Sequence, residues 1–158
     1  MAVKTIKGQN ENHAFLIGIV VAKWNSFITD KLLEGAFEVL KNKGYQENQI
    51  TVVRCPGAFE IPFTARALLA KVDGIITLGA VIRGETPHFD YVCQAVTDGV
   101  LRLNMEHNKP VLFGVLTTDT VQQATERSTA KSDYGNKGAE AALALIEMLS
   151  INQQIGKL

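Results

Sequence analysis

Apolar residues recur along this chain in two rhythms, short continuous runs and longer stretches at helical spacing, and the two alternate from end to end. Phe15-Leu-Ile-Gly-Ile-Val-Val-Ala22 is the first continuous run and predicts a strand buried on both faces. It stops at Lys23-Trp24-Asn25-Ser26, where Asn25 or Ser26 is placed to cap a helix. In that helix Ile28, Leu32, Ala36, Val39 and Leu40 form the apolar face, and Asn42-Lys43-Gly44 ends it with a basic last turn and a glycine. Gln49 to Val53 is the second predicted strand, closed by Cys55-Pro56-Gly57. Ala58 to Ala70 follows as a helix whose Pro62 must lie in the first turn, because proline has no N–H for a helix interior.

Gly74 to Ile82 is a third, strongly apolar run and predicts the third strand. Arg83-Gly84-Glu85-Thr86 breaks it, and a helix is predicted from Pro87 to about His107, with Thr86 as its N-cap and Pro87 at its first position. Val92, Val96, Val100 and Leu103 share one face of that helix, and Asn108-Lys109-Pro110 stops it. Val111 to Thr117 is a fourth strand. Asp119 or Thr120 caps a short helix to about Ser128, and a polar loop leads past Gly138 to a last helix from Ala139 to about Ile151. Strands alternating with helices predict an α/β fold: a three-layer αβα, flavodoxin-like arrangement of a parallel four-stranded sheet with right-handed crossovers and helices on both faces. No repeat, low-complexity tract or linker interrupts the pattern, so 1–158 reads as one domain with an extended N-terminal segment at 1–13.

Composition narrows the partners more than the fold. At 158 residues the chain can bury roughly 70% of the surface its unfolded form exposes. Acidic and basic residues balance to a net charge of +0, and no basic run marks a nucleic-acid or anionic-membrane footprint. The mean hydropathy of +0.07 leans slightly apolar and favours self-association. Cys55 and Cys93 make no C-x-x-C pattern, which fits a reducing cytoplasm, and no stretch has the length of a signal peptide core or a membrane span.

In an open parallel sheet, ligands bind beyond the carboxyl ends of the strands. That brings together Lys23-Trp24-Asn25, Pro56-Gly57-Ala58-Phe59-Glu60, Arg83 to His88, and Thr117 to Asp119. A helix starting at Pro87 turns unpaired backbone N–H groups toward the preceding turn and attracts an anion. The dipole at that end disfavours an imidazolium, so His88 is expected as a neutral ring able to accept a proton. Trp24 and Phe59 offer flat faces to a heterocycle, and Glu60 can accept hydrogen bonds from hydroxyls. Taken singly, the aromatics serve equally as caps of the sheet and Glu60 as a helix-start carboxylate; only their convergence points to a ligand. The first strand is followed by neither G-x-G-x-x-G nor G-x-x-x-x-G-K. His13, His88 and His107 have no metal-ligand spacing, and neither Ser26 nor Ser128 sits in a G-x-S-x-G elbow.

Pro56-Gly-Ala-Phe-Glu60, Gly79-Ala-Val-Ile-Arg-Gly-Glu-Thr-Pro-His-Phe89, Phe113-Gly-Val-Leu-Thr-Thr-Asp119 and Gly135-Asn-Lys-Gly138 occur in an order that closely resembles the 6,7-dimethyl-8-ribityllumazine synthase family. The resemblance covers Phe15 to Met148 and implies the penultimate step of riboflavin biosynthesis. That step condenses 5-amino-6-(D-ribitylamino)uracil with 3,4-dihydroxy-2-butanone 4-phosphate, without metal or organic cofactor. Carried over residue by residue, it implies that Trp24, where relatives usually have phenylalanine, stacks on the pyrimidine. Ala58, Phe59 and Glu60 would hold the ribityl chain, and Val81 and Ile82 would line the ring pocket. Gly84, Glu85 and Thr86 would bind the phosphate largely through backbone N–H groups, and His88 would shuttle protons. In this family the site lies between subunits, so Phe113, Arg127 and Lys137 would come from a neighbour, with Arg127 able to fork onto the phosphate. The family also suggests that Ala2 to Gln9 adds to a neighbour's sheet.

One departure bears on assembly. Ser-Thr-Ala-Lys-Ser-Asp-Tyr, between Arg127 and Gly135, is about two residues longer than the usual family spacing, a change of the kind loops absorb. Shorter versions of this loop go with sixty-subunit icosahedral shells and insertions with free pentamers, so a homopentamer is expected. The insertion also leaves Lys131 as an alternative to Lys137. Two other readings compete on the same scaffold: a non-catalytic lumazine or flavin carrier, and the archaeal type of riboflavin synthase. A carrier has no need of both His88 and Arg127, and incubation with lumazine alone separates the second.

Overall fold

The computed structural model describes residues 2–10, 14–133 and 135–158; His13 and Tyr134 of the sequence reading lie outside them. The elements run β1 (Ile17–Ala22), α1 (Ser26–Asn42), β2 (Ile50–Cys55), α2 (Ile61–Leu69), β3 (Gly74–Ile82), α3 (His88–Glu106), β4 (Val111–Thr118), α4 (Val121–Arg127) and α5 (Lys137–Ile155), with 3-10 turns at Glu47–Gln49 and Ala58–Glu60. All strand pairs are parallel, in the order β2-β1-β3-β4. Helices α1 and α5 pack on one face and α2 and α3 on the other, which makes the three-layer, flavodoxin-like α/β fold expected from the alternation.

The continuous apolar runs have a direct cause. Every residue of β1 is buried, as are the first seven of β3, because these two central strands are covered on both faces. Ile17, Ile19 and Val21 of β1, with Ile76, Leu78 and Ala80 of β3, enter the core under α1 and α5. Val20, Ala22 and Ile75 enter the core under α2 and α3. The edge strands β2 and β4 keep exposed positions, and Phe113 on β4 is 42% exposed.

Several boundaries differ from the sequence pattern, each for a local reason. The helix expected from Ala58 breaks into a 3-10 turn followed by α2, because Pro62 has no N–H to give the Ala58 carbonyl. Helix α5 starts at Lys137 rather than Ala139, since the Asn136 side chain caps it, accepting from Gly138 N at 2.9 Å and Ala139 N at 3.1 Å. Of the two candidates for the fourth βα turn, Thr120 is the cap and accepts from Gln123 N at 3.1 Å. At the first turn neither candidate caps through its side chain: Asn25 holds the N-cap position of α1, but its amide donates to Ala80 O. Helix α1 ends as expected. Gly44, at φ 86°, lets Gly44 N reach Lys41 O and Tyr45 N reach Leu40 O, both at 3.0 Å.

From β1 the chain passes to β2 on one side and then crosses to β3 on the other, so a crevice opens at the carboxyl ends of β1 and β3. Residues 2–10 form no strand. They lie against α5 of the same chain, with Gln9 N donating to Ser150 Oγ at 3.0 Å and Gln154 Nε2 donating to Lys7 O at 2.8 Å. Among the described residues no helix is long and apolar enough to cross a membrane.

Candidate functional site

Three strand-to-helix turns meet at the crevice. After β1, Lys23 N donates to Cys55 O at 2.8 Å and Trp24 N to Pro56 O at 3.0 Å, which fastens this turn to the end of β2. Asn25 follows in the left-handed region, at φ 59° and ψ 44°, and its Nδ2 donates to Ala80 O at 2.8 Å. The Trp24 side chain stands out from the turn, 74% exposed. After β2, the 3-10 turn buries Ala58 and leaves Phe59 62% exposed. Glu60 closes this turn by accepting from Gly57 N through Oε2 at 2.9 Å. One carboxylate oxygen therefore does the work of a helix-start cap, and the residue still faces the crevice.

After β3, Arg83 ties the turn in three directions. Its backbone N donates to Thr118 O at 2.9 Å, its Nε to Asp119 Oδ1 at 2.7 Å, and its terminal nitrogen reaches Asp90 Oδ1 at 3.3 Å. The guanidinium also lies 4.2 Å above the Phe89 ring. The bond to Asp119 holds the guanidinium proton more firmly than usual. Gly84, Glu85 and Thr86 are exposed, and Thr86 Oγ1 accepts from His88 N at 3.4 Å as α3 begins. His88 occupies the first turn of α3 and is exposed.

These turns enclose a cavity of about 630 Å³. Trp24, Ala58, Phe59, Glu60, Val81, Ile82, Gly84, Thr86 and His88, all singled out from the sequence, line it together with Asn25 and Phe89. Glu85 belongs to the turn but does not line the cavity. Two cysteines lie near these turns, and burial raises the pKa of each thiol, Cys55 and Cys93. Both stay protonated at neutral pH, so neither is an activated nucleophile.

The remaining sequence candidates lie elsewhere. Phe113, Arg127 and Lys137 line a separate groove of about 510 Å³ between β4, the end of α4 and the start of α5. Arg127 donates to Gln123 O at 3.1 Å and comes within 4.0 Å of Glu126 Oε2. Lys137 Nζ is 2.9 Å from both carboxylate oxygens of Glu140. Lys131 is exposed and does not line this groove. The chain thus carries two separate surfaces, one aromatic with a helix start and the other holding Phe113, Arg127 and Lys137. Among the described residues, no three His, Cys, Asp or Glu side chains gather into a group able to hold a metal.

Asn25, Arg83 and Asp119 fell within the segments that the sequence brings to the sheet edge but were given no part in binding there, and Asp90 was not singled out. A signal existed for one pair: the register Ile82↔Thr118 puts Arg83 and Asp119 side by side as the next residues of adjacent parallel strands. It becomes readable only once β3 and β4 are known to be neighbours. Compared with known families, the chain matches the family model described as 6,7-dimethyl-8-ribityllumazine synthase over residues 14–153.

Proposed function

From the premise that this chain belongs to the 6,7-dimethyl-8-ribityllumazine synthase family, whose members are transferases of riboflavin biosynthesis, we propose that it condenses 5-amino-6-(D-ribitylamino)uracil with 3,4-dihydroxy-2-butanone 4-phosphate, releasing phosphate and water. The observation that carries this reading is the single cavity that joins a broad indole face, the Glu60 carboxylate and the start of α3. The pyrimidine stacks on Trp24, and the ribityl hydroxyls reach Glu60 across Ala58 and Phe59. The phosphate sits at the turn formed by Gly84, Glu85 and Thr86, against the start of α3, a helix end that attracts anions.

The chemistry needs proton transfers more than a strong nucleophile. The 5-amino group adds to the ketone carbon, and loss of one water gives an imine. His88 takes the proton from the adjacent carbon, and the electron pair left there expels phosphate from the next carbon. The resulting enol gains a proton and becomes a ketone; the ribityl-bearing nitrogen adds to it, and loss of a second water closes the ring. Neither metal nor organic cofactor has a task in this sequence of steps.

Phe113, Arg127 and Lys137 complete the site from an adjacent copy, because the groove they line is separate from the cavity of their own chain. We place Lys137 rather than Lys131 at this site, since only Lys137 lines the groove. The assembly proposed is a homopentamer, with the longer loop after Arg127 opposing a sixty-subunit shell, and the compartment is the cytoplasm. Light scattering should report five chains; a particle near a megadalton would exclude the pentamer.

Mixing both substrates with the purified protein should produce the absorbance of the lumazine faster than the spontaneous reaction, and no gain over that background would reject the function. Arg127→Ala should weaken phosphate binding by about 1.5–3 kcal/mol, the range for a hydrogen bond to a charged group. The Michaelis constant of the butanone phosphate then rises by roughly one to two orders of magnitude, at about 1.4 kcal/mol per factor of ten. An unchanged constant would remove Arg127 from the site.

A further inference from the structure

Asn25 is the one non-glycine residue with positive φ among the described residues, and it lies at the crevice. Asparagine tolerates this conformation better than most residues, yet a non-glycine residue held there at a cavity calls for a reason beyond turning the chain. The reason lies in what its side chain reaches. Pairing between β1 and β3 ends at Val21↔Leu78, two residues before Ala80. Beyond that point the backbones part, and the cavity opens between them. The Asn25 amide spans the gap, donating to Ala80 O at 2.8 Å from a residue 55 positions earlier in the chain. It stands in for the strand rung that β1 no longer supplies.

Trp24 is consequently fastened on both sides. Its own N–H is held by Pro56 O at the end of β2, and the next residue is held by Ala80 O at the end of β3. With its side chain 74% exposed, Trp24 has little packing of its own to set the ring direction. Its orientation follows from these backbone anchors. We propose that Asn25 is a positioning residue: its amide bridge to Ala80 sets the direction of the Trp24 ring and the width of the crevice that admits the planar heterocycle. This rests on the proposed function for the identity of the heterocycle, but the geometry of Trp24 can be read without any substrate.

The chain contains 1 tryptophan, so its intrinsic tryptophan fluorescence reports Trp24 alone. Asn25→Gly keeps the left-handed backbone, which glycine adopts freely, and deletes the amide. Asn25→Asp keeps the shape of the side chain and replaces the Nδ2 donor with an acceptor. In the ligand-free protein both variants should show faster Trp24 depolarisation and stronger acrylamide quenching than the unaltered chain, with the circular dichroism unchanged. In turnover the Michaelis constant of the aminopyrimidine should rise about three- to tenfold, the worth of one net hydrogen bond, while that of the sugar phosphate stays constant. Fluorescence of Asn25→Gly identical to that of the unaltered protein would overturn the proposal, as would equal rises in both Michaelis constants, which indicate general loosening. If the unaltered protein forms no lumazine, the functional reading fails by itself, and the ligand-free fluorescence still decides whether Asn25 orients Trp24.

Discussion

Gly138→Ala is expected to destabilise the fold by about 3 kcal/mol, the upper end of what overpacking a rigid site usually costs. A Cβ at this position would lie 2.7 Å from Leu32 C and 2.9 Å from Leu32 Cα, well inside contact distance of α1 backbone that cannot swing aside as a flexible side chain would. The crowding has a cause in Asn136. Its Oδ1 caps α5, while its Nδ2 donates to Lys31 O at 2.9 Å and Ser128 O at 2.8 Å, which draws the start of α5 onto α1. At about 2–4 °C per kcal/mol for a chain of this size, the melting temperature should fall by roughly 6–12 °C. Gly156→Ala makes the control. Its φ of −63° suits any residue, and the nearest atoms to an added Cβ are 3.6 Å away, so a gain of about 0.4–1 kcal/mol is expected. Equal melting temperatures for the two variants would show that α1 and α5 are not held backbone to backbone.

His88→Ala is expected to slow turnover about 10²–10⁴-fold, the usual contribution of a positioned proton carrier. The exposed His88 side chain supports no core, so the melting temperature should stay where it is. In the proposed site the phosphate is held by backbone N–H groups rather than by His88, so the Michaelis constant of the sugar phosphate should change little while the turnover number falls. Pre-steady-state measurement with both substrates should then show the slow step before phosphate release, where the carbon-bound proton leaves. A variant that turns over as fast as the unaltered protein would mean that water carries the protons and His88 has another task.

The two variants probe different links between sequence and structure. The motif Gly135-Asn-Lys-Gly138 drew notice through Lys137, yet Asn136 and Gly138 do packing work that a resemblance by itself does not reveal. The turn at Arg83 to His88 was legible because strand, threonine, proline and histidine are consecutive, and consecutive residues interact whatever the rest of the chain does. Helix α3 nonetheless begins one residue later than expected, at His88, with Pro87 rather than Thr86 in the N-cap position. Arg83 was not legible as a clamp, since Asp119 is 36 positions away.

Apolar rhythm, proline and glycine placement, and short-range capping by themselves determined the alternation of strands and helices, β3 from Gly74 to Ile82, and a capped helix start at Asp119 or Thr120. These depend on backbone geometry within a few residues, which the order of side chains specifies. Only the tertiary structure decided that β1 lies between β2 and β3, that the Asn25 amide turns from its own helix to Ala80, and that the basic residues line a groove apart from the cavity. A side-chain donor pairs with whichever acceptor the packed layers bring within about 3 Å, and that choice is made by strand order and register across distant parts of the chain.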